Sequence, residues 1–168
     1  MSDSLDIDDI SLMYEAARSF VAGAKIIMVS DGIQEDQAVK LPTLPVILCS
    51  AIAIEISLKA ILKMNGSSRP KGDGHDLNQL FSALPVEKQL EILEYQSAYT
   101  EIPATEVRQT ILEIKDVFKT WRYAYEHASI QIKPDFLFHL ALAFVEYIEV
   151  NSNIERSSNG WKLLKIIK

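Results

Sequence analysis

The sequence predicts an all-α fold, a single-domain up-and-down bundle of about five to six helices, and three observations carry that prediction. Apolar residues recur at three- and four-residue steps through the long segments of the chain. Glycines and prolines, six of each, fall mostly in clusters that separate those segments. The length of 168 residues, with 48% apolar and 24% charged side chains, matches one domain with enough material for a core.

The first helix is expected over about Ile7 to Val29, with Ile10, Met13, Tyr14, Ala17, Phe20, Val21 and Ala24 on its inner face and Gly32 beyond its end. Asp31 to Leu41 reads as a polar connection. Thr43 can cap a second helix with Pro45 in its first turn, where a missing N–H does no harm, and that helix should stop at Gly66. It is apolar nearly all round from Leu44 to Ile54, which places it at the centre of a bundle or against a partner subunit. Those 11 residues then meet Glu55 and Lys59, short of the roughly 20 a membrane span needs.

Residues 66–74 hold three glycines and form a loop between two halves of the chain. A short helix is expected from Asp76, with Leu77, Leu80, Phe81 and Leu84 on one face and Pro85 at its end, followed by a segment to about Tyr95. The spacing of Val107, Ile111, Ile114, Phe118, Trp121 and Tyr125 predicts one continuous helix from Thr105 to about Glu126. Ala128 to Lys133 forms a loop with room for a short extended piece. Pro134 then starts a last long helix to about Ile154, with Leu137, Leu140, Ala141, Phe144 and Ile148 inward. Residues 157–168 form a basic tail, amphipathic from Trp161 to Lys168.

Seventeen Lys and Arg against 23 Asp and Glu leave a net charge of −6, which argues against coating nucleic acid through bulk positive charge. Cys49 is the only cysteine, so neither a disulfide framework within the chain nor a cysteine zinc cluster is available, and a cytoplasmic location fits. The acidic start, Met1 to Asp6, lacks the positive charge of an export signal. His-Glu-x-x-His, Gly-x-x-x-x-Gly-Lys and Gly-x-Ser-x-Gly are all missing, which removes support for zinc peptidases, nucleotide triphosphatases and α/β-hydrolases.

Of the three histidines, His127 closes the run Trp121-Arg122-Tyr123-Ala124-Tyr125-Glu126-His127, in which Arg122 and His127 are separated by four residues. This segment resembles the HEPN family (higher eukaryotes and prokaryotes nucleotide-binding), helical bundles whose active members carry Arg-x(4 to 6)-His. Ala53-Ile54-Glu55-Ile56-Ser57-Leu58-Lys59-Ala60-Ile61-Leu62 is similar to the second-helix signature of one branch, and Gly74-His75-Asp76-Leu77 to the turn entering its next helix. The resemblance spans about Ala51 to His127. It implies a homodimeric, metal-independent endoribonuclease of a prokaryotic toxin or anti-phage defence system, with RNA as substrate and an antitoxin or other defence protein as partner. It implies no cofactor and no membrane.

The chemistry suits that pair. An imidazole can take a proton from a ribose 2′-OH or give one to the leaving oxygen, while a guanidinium meets the phosphoryl oxygens with forked hydrogen bonds. On a straight helix a five-residue offset turns His127 about 140° from Arg122, so the helix must fray or two subunits must share one cleft. Glu55 and Lys59, four residues apart on an apolar helix, need partners: each other, or Arg122 for Glu55. Both are assigned a supporting role, as is Glu126, which can pair with Arg122. Lys115, Lys119 and Tyr123, with Arg69 and Lys71 further off, are candidates to grip RNA.

Blander assignments stand beside these. Arg122 and Glu126 can be a surface ion pair, and His127 a polar residue at a helix end. His75 and Asp76 read first as a turn and cap and second as site residues. His139 reads as a core or interface histidine, Cys49 as core filling, and Trp121 and Tyr125 as seam residues. Ser129 stands where some toxin members carry a tyrosine that is modified with AMP. The alternative function is a catalytically inert HEPN module that binds a nucleotide or a partner protein within a complex.

Overall fold

The computed structural model describes residues 3–30, 43–67, 74–115 and 134–152, with side chains defined over 9–29, 44–67, 74–115 and 134–152. Among the described residues there are six helices and no strand: α1 (Asp3–Ser30), α2 (Thr43–Met64), α3 (Leu77–Ser82), α4 (Val86–Thr100), α5 (Ala104–Glu113) and α6 (Pro134–Asn151). The all-α class follows the three- and four-residue periodicity. On α1, Tyr14, Ala17, Val21 and Ala24 are buried at alternating steps of three and four. On α6, Leu137, Leu140, Ala141, Phe144 and Ile148 all face inward.

The core is a layer of three long helices, α2 lying against both α1 and α6. Lys63 near the end of α2 reaches Asp9 near the start of α1 at 2.6 Å, so these two helices run antiparallel. The span Leu44–Met64 has a mean hydropathy of 2.0 and, by length and composition, is long and apolar enough to cross a membrane. Glu55 and Lys59 therefore do not shorten it as the sequence count implied. Most of that span is buried between its neighbours, the environment of a core helix.

The end of α2 is built from its last residues. Gly66 takes φ of +62°, a left-handed conformation that glycine adopts without steric cost. Its N–H then bonds to the Lys63 carbonyl at 3.0 Å and the Ser67 N–H to the Leu62 carbonyl at 2.9 Å, which satisfies carbonyls otherwise left open at a helix end.

The second half of the chain covers this layer with shorter helices. Leu77, Leu80, Phe81 and Leu84 are all buried, as the one-sided spacing predicts. Arg108 of α5 clamps α3 by donating to Asn78 Oδ1 at 2.7 Å and lying over the Phe81 ring. Helix α4 runs to Thr100, five residues beyond the expected Tyr95, and closes at Glu101 with φ of +58° before Pro103 opens α5. It packs antiparallel on α6 through Tyr147, which donates to Glu91 Oε1 at 2.7 Å and meets the Tyr95 ring edge-on.

A second element departs further from the sequence reading. Helix α5 ends at Glu113, not near Glu126, although Val107, Ile111 and Ile114 are buried as its seam requires. Ile114 and Lys115 form a turn in which the Lys115 N–H bonds back only three residues, to the Leu112 carbonyl. The Lys115 carbonyl accepts the Leu77 N–H at 3.2 Å. A contact between residues 38 positions apart thus fixes this end, and periodicity along one segment carries no trace of it.

Candidate functional site

The residues the structure brings together are Glu55, Lys59, His75 and Asp76, at the corner where α2, α3 and the end of α5 meet. Glu55 is 7% exposed on a helix made chiefly of isoleucine, leucine and alanine, where an uncompensated carboxylate would be costly. Among the described residues, two side chains compensate it. Lys59, one helical turn on, donates to Oε1. The second partner is His75, whose Nδ1 lies 3.1 Å from Oε1 and 3.2 Å from Oε2.

Each residue of the Gly74-His75-Asp76-Leu77 turn has a separate task. Gly74 takes φ of +69° and passes over the Lys59 ammonium, a conformation in which an L side chain is strained. That bend carries His75 to Glu55. Asp76 is the N-cap of α3, accepting the Gln79 N–H at 2.9 Å. Leu77 is fully buried, and its N–H meets Lys115. The turn and cap reading of this segment is therefore correct for Asp76 and incomplete for His75.

The pairing of Glu55 with Lys59 follows from their spacing. The pairing with His75 was not found from sequence, because 20 positions separate the two residues and only the Gly74 bend joins them. Glycine followed by His and a capping Asp was the available signal. His75 keeps 57% of its side-chain surface exposed, so the cluster has a buried carboxylate on one side and an accessible ring on the other.

Lys115 is exposed at the end of α5, and its carbonyl ties that end to the cluster. Arg122, His127, Glu126, Lys119, Tyr123 and Ser129 lie outside the described residues, as do Arg69, Lys71, Trp121, Tyr125 and the tail 157–168. Among the described residues no group of three or more His, Cys, Asp or Glu is placed to hold a metal ion.

His139 is exposed, which corrects its reading as a core residue. It lines an open concavity of about 600 Å³ between the Tyr99–Ile102 turn and the start of α6, bordered by Pro134, Asp135 and Phe136. None of the residues singled out for chemistry lies there. Cys49 is half-buried against the core, and burial pushes its thiol pKa up, away from the reactive thiolate.

No family model matches the chain, and neither does any curated protein or solved structure.

Proposed function

We propose that this protein is a HEPN-like, metal-independent endoribonuclease that acts as a homodimer and cleaves RNA by attack of a ribose 2′-OH on the adjacent phosphate. The observation that carries the reading is the buried Glu55 held by Lys59 and His75, at the corner tied to Lys115. Seven residues beyond Lys115 the sequence supplies Arg122, and five further His127. Two of the three sequence signatures, on α2 and on the Gly74 turn, thus meet at one place, beside the point from which the third continues. An imidazole and a guanidinium suffice for the chemistry, since the nucleophile belongs to the substrate.

The test is incubation of the purified protein with total RNA in EDTA and mapping of the product ends. Fragments ending in 2′,3′-cyclic phosphate, missing when Arg122→Ala or His127→Ala replaces the native protein, are the expected result. Sedimentation should give about twice 18.9 kDa. Intact RNA with the native protein, or undiminished cleavage by His127→Ala, would move the reading to a module that binds a nucleotide or partner protein without acting on it.

A further inference from the structure

We propose that α4 and α5 form a strap over the layer of α1, α2 and α6, that the strap opens as a unit while the layer stays packed, and that the buried amide of Gln96 is what loosens it. The proposal stands apart from the ribonuclease reading, since it concerns how the covering helices are held and not what the molecule acts on.

The hold of α4 is weak for its length. Of its 15 residues only Ile92 and Gln96 are buried, whereas α6 buries nine of 18. The two buried residues of α4 act in opposite directions. Ile92 is apolar, and its burial holds the helix down. Gln96 is fully buried, yet neither its Oε1 nor its Nε2 has a hydrogen-bond partner. An amide in that position has lost its bonds to water without replacing them, and opening α4 restores them. The Gln96 carbonyl accepts the Thr100 hydroxyl within α4 itself, so that bond survives the opening.

Three residues, Glu101 to Pro103, separate α4 from α5, and α5 rests chiefly on α4 and α3, so the two helices move together. The ties that must break lie toward solvent. Tyr147 of α6 donates to Glu91, whose side chain is 42% exposed and also holds Lys88. Arg108 of α5 releases Asn78 of α3. Lys115 follows α5 directly, and its carbonyl accepts the Leu77 N–H, so opening also undoes the bond that ties α5 to the corner of Glu55 and His75. The strap therefore couples that corner to the state of α4.

Amide hydrogen exchange of the full-length protein, read residue by residue at neutral pH, tests this. Amides of α4 and α5 should exchange at least about 100-fold faster than the slowest amides of α2. Ile47→Ala weakens the layer in the closed and the opened form alike, so it should cut protection in α2 by about 100-fold while leaving α4 and α5 within about threefold of native. Low urea makes the same distinction without a substitution. Protection should fall steeply in α2 and little in α4 and α5, because opening the strap exposes only part of the surface that unfolding exposes. Gln96→Met keeps the length of the side chain and removes the unpartnered amide, and it should raise protection of α4 and α5 about tenfold. Amides of α4 and α5 that match those of α2 in rate, and fall in step with them in urea or in Ile47→Ala, would overturn the proposal. So would unchanged or reduced protection of α4 in Gln96→Met, which would show that the amide is satisfied in the native protein.

Discussion

The two halves of α2 lie on one helix and are stabilised in different ways. From Leu44 to Ile54 the buried positions are Val46, Ile47, Ser50, Ala51, Ala53 and Ile54, and what the apolar ones require is volume filled by α1 and α6. From Glu55 to Met64 the helix buries Leu58, Ala60, Ile61 and Leu62 but also Glu55 and Ser57, and Glu55 requires particular partners in particular places. Apolar burial is non-directional and tolerates exchange of similar residues, whereas a buried charge is met only by the right group at the right distance. The first half therefore reports the fold, and the second reports a candidate site.

The largest effect should come from the first half. Ile47→Ala removes a fully buried side chain from the central helix and should cost about 3 kcal/mol, through lost burial and the cavity left behind. A denaturant midpoint at neutral pH measures it. The second half should respond less. Glu55→Ala frees two partners that can both reach water, Lys59 through its flexible stem and His75 through its exposed ring, so about 1 to 2 kcal/mol is expected and not the larger penalty of a sealed ion pair. A larger loss for Glu55→Ala than for Ile47→Ala would reverse the comparison and make the cluster chiefly structural.

This contrast also explains what was legible in the sequence. Every inner position named on α3 and α6 is buried, because period and amphipathic face are local properties of a helix. Gly66, Asp76 and Pro134 mark element ends through equally local chemistry. The end of α5 was not legible, since a backbone bond from Leu77 sets it, and neither was the bond from His75 to Glu55. Gln96, fully buried on α4, gave no signal in a polar stretch. Each of these is set by the meeting of segments distant in sequence.

A smaller effect isolates the turn from the cluster. Asp76→Ala removes the side-chain cap of a six-residue helix and should cost about 1 kcal/mol, while Asp76→Asn should cost little because its amide oxygen can still accept the Gln79 N–H. An equal loss for Asp76→Asn and Asp76→Ala would show that the bond to Gln79 is not what Asp76 contributes.

The smallest effect at neutral pH, and the last way to sharpen the comparison, comes from two phenols outside α2. Tyr14 on α1 donates to Glu149 at 2.8 Å; burial, and then this bond to a carboxylate, raise its pKa from the usual 10.0 to about 12. Burial and the bond to Glu91 push Tyr147 upward as well. Below pH 10 both phenols stay protonated whether the chain is folded or not, so they add no pH dependence there. As pH rises past about 10 the unfolded chain loses these protons while the folded one retains them, and the stability they contribute is lost as pH climbs through the folded value of Tyr14. Denaturant midpoints should thus be level from about pH 7 to about pH 9 and fall by about pH 11, with a shallower fall in Tyr14→Phe. The first half of α2, from Leu44 to Ile54, holds no acidic or basic residue, and its one titratable group, Cys49, is half-buried. Ile47→Ala should therefore lower the whole profile without changing its shape. A midpoint that stays level through about pH 12 would remove the phenols from the stability of the fold.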